Sequence, residues 1–212
     1  MPEVSDVEYA IQAAGLLGSV DLAVPRGAVF GLVGGQEAGG ALRIFAGLRR
    51  PARGWAQVGG YDVVRYADRV RELTGAPIRY AAIDEKLTGL ERLLLVGRLL
   101  QFDAEQARHR AACLLARLDL MDAAHEPVCG YPAALRQRLD LAAALMNRPQ
   151  VLLLDDPLAG LDAAARADLG AWVREVATRG LTVLFTARAR VDAGQAGLLD
   201  HEIVTAGALP DK

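Results

Sequence analysis

"VLLLDDPLAGLD", residues 151–162, decides the fold. Its first four residues are apolar without alternation, the pattern of a strand buried on both faces. Asp155 and Asp156 emerge at the carboxyl end of that strand, where open α/β sheets gather their ligands. One carboxylate there can hold magnesium, directly or through water, and a second can orient an attacking water. Asp162 follows in the loop that leads into the next helix.

Working outward, "DAAARADLGAWVREVATRG" (162–180) is an amphipathic helix closed by Gly180, and "LTVLFTA" (181–187) is another buried strand. Far upstream, "SVDLAV" (19–24) alternates as a half-buried strand does, "PRG" turns, and "AVFGLVG" (28–34) is a short buried strand. It feeds "GGQEAGG" (34–40), which predicts a glycine-rich loop, and then "ALRIFAGL" (41–48), a short helix that places Leu42, Phe45 and Ala46 on one face before "RRPARG" ends it. Between these parts, "DEKLTGLERLLLVGRLL" (84–100) carries a capping-box pattern, Thr88 with Glu91, and "FDAEQARHRAACLLARLDL" (102–120) repeats the idea with Asp103 and Gln106. Buried strands alternating with helices argue for a largely parallel sheet flanked by helices, an α/β fold. Three segments result: 1–83, N-terminal strands and a glycine-loop core; 84–147, an inserted helical subdomain; and 148–212, the C-terminal part of the core.

Composition narrows the function classes. Lys plus Arg (24) nearly balance Asp plus Glu (26), so a general attraction to nucleic acid is not indicated, though local basic patches are compatible with these totals. The N-terminus has no basic-then-apolar leader, and no apolar run approaches the roughly 20 residues that span a bilayer, so direct membrane insertion is not expected. Cys113 and Cys129 match no metal or redox spacing and predict buried, inert thiols. His109, His125 and His201 share no metal spacing.

With "YPAALRQRLDLAAALMNRP" (131–149) and "AGL" (46–48), the stretch at 151–162 resembles the ATP-binding domain of ABC transporters. "DEKLTGLERLLLVGRLL", "RLDL" and "DHEIV" resemble the daunorubicin-resistance, drug-export branch. The resemblance runs from about Val20 to the C-terminus, with the first strands and the last segment abbreviated. It implies a P-loop NTPase-type fold, ATP and Mg2+ as cofactors, and hydrolysis as the chemistry. It also implies a second ATP-binding domain, in a homo- or heterodimer, and a membrane permease subunit that would hold this cytoplasmic chain at the inner face of the membrane. In that arrangement each ATP lies between the phosphate loop of one domain and the signature motif of the other.

Carried over position by position, the motifs depart from the family pattern. A phosphate loop needs Gly, four residues, Gly, Lys and Ser or Thr: backbone amides cradle phosphate, the ammonium neutralises it and the hydroxyl binds magnesium. Gly34 and Gly39 hold the glycine positions, but Gly40 stands for the lysine and Ala41 for the hydroxyl. The segment is also short by about two residues, so the missing pair is either substituted or deleted. Glu37 adds a negative charge to a loop meant for anions. Losing two such partners weakens phosphate binding by about two to four powers of ten.

Pro132, Ala133 and Ala134 replace the signature serine and both glycines, with Pro132 suited to the first helical position. Arg79 stands at the magnesium-sensing glutamine and Arg188 at the switch histidine; a permanent cation cannot do a neutral imidazole's work. Asp155 keeps the metal position and Asp162 its loop position, while Asp156 replaces the usual glutamate. An aspartate is shorter by one methylene, so its carboxylate would be drawn back from the attacking water by about 1.5 Å. At the adenine-stacking position Ile11 aligns best, with Tyr9 close by.

The resulting expectation is a degenerate ABC-type ATP-binding subunit, with weak or absent ATP binding and negligible hydrolysis. Two alternatives stand beside it: a slow ATPase driving drug or lipid export with a permease, and a non-enzymatic interaction or regulatory protein that keeps the fold. Arg79 and Arg188 are either surface residues or new salt-bridge partners for Asp155, Asp156 or Glu37.

Overall fold

The computed structural model describes residues 9–17, 20–77, 83–187 and 201–204. The chain divides into two compact units, Met1–Thr74 with Gln150–Lys212, and Gly75–Pro149.

The first unit carries two sheets. Strands β1 (Tyr9–Leu17), β2 (Val20–Pro25), β4 (Trp55–Val58) and β5 (Tyr61–Asp62) form an antiparallel sheet in the order β2-β1-β4-β5. The second sheet holds β3 (Val29–Val33), β6 (Thr74–Gly75), β7 (Val151–Leu154), β8 (Thr182–Ala187) and β9 (His201–Val204), in the order β6-β7-β8-β3-β9. The pairings of β3 with β8 and β9, and of β7 with β8, are parallel. Every residue of β3, β7 and β8 is buried, the reason their apolar runs show no alternation. Register then places the site: Val33 lies opposite Ala187, and Leu154 opposite Phe185. Gly34, Asp155 and Thr186 therefore gather at one carboxyl edge of the sheet.

Helices α1 (Gly35–Phe45), α2 (Ala67–Leu73) and α6 (Ala163–Thr178) complete this unit. α1 ends in the hydrogen-bond pattern of a Schellman turn. Gly47, at φ 66°, donates to the Ile44 carbonyl at 2.9 Å and Leu48 N–H donates to that of Arg43 at 2.9 Å. α6 ends the same way, with Gly180 at φ 92° donating to Ala177 at 2.8 Å.

The second unit is helical: α3 (Gly89–Leu99), α4 (Ala104–Arg117) and α5 (Ala133–Leu145). The Thr88–Glu91 capping box forms reciprocally, Glu91 N–H donating to Thr88 Oγ1 at 3.2 Å and Thr88 N–H to Glu91 Oε2 at 2.8 Å. That contact holds the Glu91 carboxyl below its ordinary range. Asp103 caps α4 by accepting from the N–H groups of Glu105 and Gln106. A Cβ at Gly97 would come within 2.8 Å of Ala107 Cβ, so glycine sets the close approach of α3 and α4. Buried Arg92 on α3 donates to Asp140 Oδ1 on α5 at 2.6 Å. Burial nevertheless pushes the Asp140 carboxyl up, against the opposing pull of Arg92.

The expectation of buried thiols fails: Cys113 and Cys129 are both exposed. Ala111, Leu114 and Leu115 take the inward face of α4, and Cys113 falls outside that stripe.

Candidate functional site

The predicted glycine loop does not form. α1 begins at Gly35, one residue after Gly34, which alone makes the turn at φ 149°. Gly34 N–H donates to the Ala187 carbonyl at 3.2 Å, and the Gly34 carbonyl accepts the first helical bond, from Ala38 N–H at 2.9 Å. Gly39, Gly40 and Ala41 consequently lie inside a helix rather than around a phosphate. The cause is length. A loop that encircles phosphate needs the residues missing here, and "GQEA" has nothing to oppose helix formation beyond its glycine. Glu37, in the first turn, is favourable to the helix dipole and unfavourable to an incoming anion.

The carboxylate of Asp155 lies against this helix. A Cβ built at Gly39 would sit 3.4 Å from Asp155 Oδ1 and 3.6 Å from Oδ2. Thr186 Oγ1 donates to Asp155 Oδ1 at 2.7 Å and accepts from Asp156 N–H at 2.8 Å. One buried hydroxyl thus ties both aspartates to β8. Asp156 has φ 45°, and its carbonyl accepts from Ala159 N–H at 3.1 Å, forming a turn at the strand end. Thr186 went unnoticed in the sequence. Its signal is a hydroxyl at the penultimate position of a buried, largely apolar strand, where it needs a polar partner.

The remaining predicted positions lie apart from this cluster or serve the chain locally. Asp162 is the N-cap of α6, accepting from Ala165 N–H at 2.8 Å. Pro132 is the N-cap of α5, not its first helical residue, and provides no side-chain cap. Ala133 opens the helix as its first residue, with Ala134 next. Ile11 is fully buried within the antiparallel sheet, paired with Val24 and Val58, and offers no face for a base; Tyr9 is half-buried. Its inward place in β1 is the reason, since successive residues of a strand face opposite sides. Arg79 and Arg188 lie outside the described residues.

The residues present do not fit magnesium-bound ATP. A helix stands where the cradle should be, neither an ammonium nor a hydroxyl occupies the phosphate-loop positions, and the described residues hold no cluster of three metal-ligating side chains.

The architecture itself is that of an ATP-binding cassette. A nucleotide-free ATP-binding cassette from an ABC transporter superposes with a TM-score of 0.81 at 18% identity, over 94% of this chain and 88% of that one. A cassette in a post-hydrolysis state bound to ADP and Pi gives 0.78 at 19% identity, over 93% and 95%. The family model for ABC transporters matches residues 17–159, and the chain belongs to that family. It is 43% identical, over 181 residues, to the daunorubicin resistance ATP-binding protein DrrA3 of Streptomyces coeruleorubidus, covering 84% of this chain and 57% of that protein. To the doxorubicin resistance ATP-binding protein DrrA of Mycobacterium tuberculosis it is 35% identical over 196 residues, covering 90% and 59%. The chain thus spans under two thirds of the length of these relatives. No helix among the described residues is long and apolar enough to cross a membrane.

Proposed function

We propose that this chain is a degenerate ATP-binding-type subunit of a drug-resistance ABC transporter, one that binds ATP weakly or not at all and hydrolyses it negligibly. The observation that carries the reading is the start of α1 at Gly35, which puts the phosphate-loop positions Gly39, Gly40 and Ala41 inside a helix. The occupied Thr186 hydroxyl, the N-cap duty of Asp162 and the missing signature serine point the same way. Its partners, on this reading, are a membrane permease and a second ATP-binding domain, as the family resemblance implies.

A phosphate-release assay with ATP and magnesium tests it. The expected rate is background for the unaltered chain and for Asp156→Ala alike. Magnesium-dependent release that disappears in Asp156→Ala would instead establish a slow ATPase. Co-purification with a permease supports the transporter assignment, and an ATP-insensitive chain that never associates with one would make it a free-standing interaction protein.

A further inference from the structure

His109 and Cys113 stand one turn apart on α4, and both are exposed. Neither the histidines nor the cysteines of this chain show metal spacing among themselves, but this mixed pair does, because residues four apart share one face of a helix. Cys113 Sγ lies 3.7 Å from His109 Nε2. Zinc bonds of about 2.3 Å to sulfur and about 2.05 Å to nitrogen, at the tetrahedral angle, separate the two ligand atoms by about 3.6 Å. The sulfur and nitrogen therefore already stand at the separation a tetrahedral ion requires. In the tautomer protonated at Nδ1, Nε2 offers the sulfur's side its lone pair. A thiol–imidazole hydrogen bond spans the same distance, and the ion would take the place of its proton. On binding, the Sγ–H bond breaks, the proton passes to the buffer and the sulfur's electron pair bonds the metal.

Arg108, Arg110 and Arg117 on the same helix oppose a cation. Arg110 is committed to α5, where its Nη2 donates to the Leu145 carbonyl at 2.6 Å. The thiolate cancels one of the ion's two charges, Glu105 stands one turn before His109, and water screens so exposed a pair, so the repulsion lowers the affinity rather than closing the site. A thiolate with an imidazole selects zinc-like ions over magnesium, which prefers oxygen. The described residues bring no third ligand to the pair, so water completes the coordination. We propose that His109 and Cys113 form a two-ligand surface site for zinc or a divalent metal of similar softness. The site lies wholly within the helical unit and does not rest on the transporter reading.

Titration of the full chain with Co2+, its thiols kept reduced by a phosphine rather than by a competing thiol, tests it. The expected result is a thiolate-to-cobalt charge-transfer band that saturates and is displaced by Zn2+ but not by Mg2+. Cys113→Ser should abolish the band, and His109→Asn should keep it while weakening binding about tenfold or more. Both side chains are exposed, so neither substitution threatens the fold. Cys129→Ser, at the other exposed thiol, should leave the titration unchanged. The proposal is overturned if no band forms, if the band survives Cys113→Ser or is lost in Cys129→Ser, or if Mg2+ displaces the cobalt. It is equally overturned if His109→Asn binds as tightly as the unaltered chain, since the thiol then acts alone and the pair is a hydrogen bond only.

Discussion

Gly40→Ala separates a helix from a phosphate loop by the sign of a stability change. Gly40 lies in the second turn of α1, carries no left-handed backbone angle, and has no atom within 4 Å of where a Cβ would be. An added methyl meets nothing and removes the entropic cost of glycine in a helix, so the variant should be stabilised by about 0.5–1 kcal/mol. For a chain of this size that is about 1–4 °C in Tm, and guanidinium denaturation should shift the midpoint upward with an unchanged slope. Gly39→Ala provides the contrast. Its Cβ would lie 3.4 Å from Asp155 Oδ1, an ordinary van der Waals contact, but the methyl would displace water from that carboxylate and so offset part of the gain. Destabilisation of Gly40→Ala by 1 kcal/mol or more would refute the helix, because it would require a backbone conformation that alanine resists.

Thr186→Val removes the hydroxyl that joins Asp155 Oδ1 to Asp156 N–H and should cost about 1–3 kcal/mol in denaturant, whereas a loss under ~0.5 kcal/mol would show that the bridge does not hold the strand end. Asp162→Ala should cost about 1 kcal/mol through its lost cap. Asp140→Leu leaves Arg92 buried beside an apolar side chain and should cost about 3–5 kcal/mol, while Arg92→Met/Asp140→Leu together should recover most of it; additive losses would contradict the paired burial. The folded-state carboxyl of Asp140 is raised by burial. Its contribution to stability is therefore fully present below about pH 4, the ordinary aspartate value, and is lost as pH rises through the raised one; Asp140→Asn should flatten that part of the stability–pH curve.

Much of the fold was legible because burial writes itself into composition. The runs at 28–34, 151–154 and 181–187 are apolar on both faces since those strands are covered on both faces. The capping box at Thr88 and the helix-ending Gly180 were equally legible, being local chemistry. Less of the site could be seen. The missing side chains at Gly40 and Ala41 are visible as letters, but their consequence depends on what a shortened segment does when it cannot encircle phosphate, and here the helix extended backward to Gly35. Ile11 aligns with a stacking position yet points inward, because register rather than residue type decides a strand's faces. Cys113 misled for the same reason, its orientation being set by the apolar stripe of α4 rather than by its own hydrophobicity. Thr186 acts through a partner 31 residues away in the chain, a pairing no local pattern announces.

The most direct test of the central claim is calorimetric titration of the chain with ATP in the presence and absence of magnesium, beside a variant with Lys-Thr inserted between Gly39 and Gly40. The unaltered chain should show no magnesium-dependent binding, and the insertion, which restores both length and side chains, should create it. Micromolar, magnesium-dependent binding by the unaltered chain, lost in Asp155→Asn, would contradict the account.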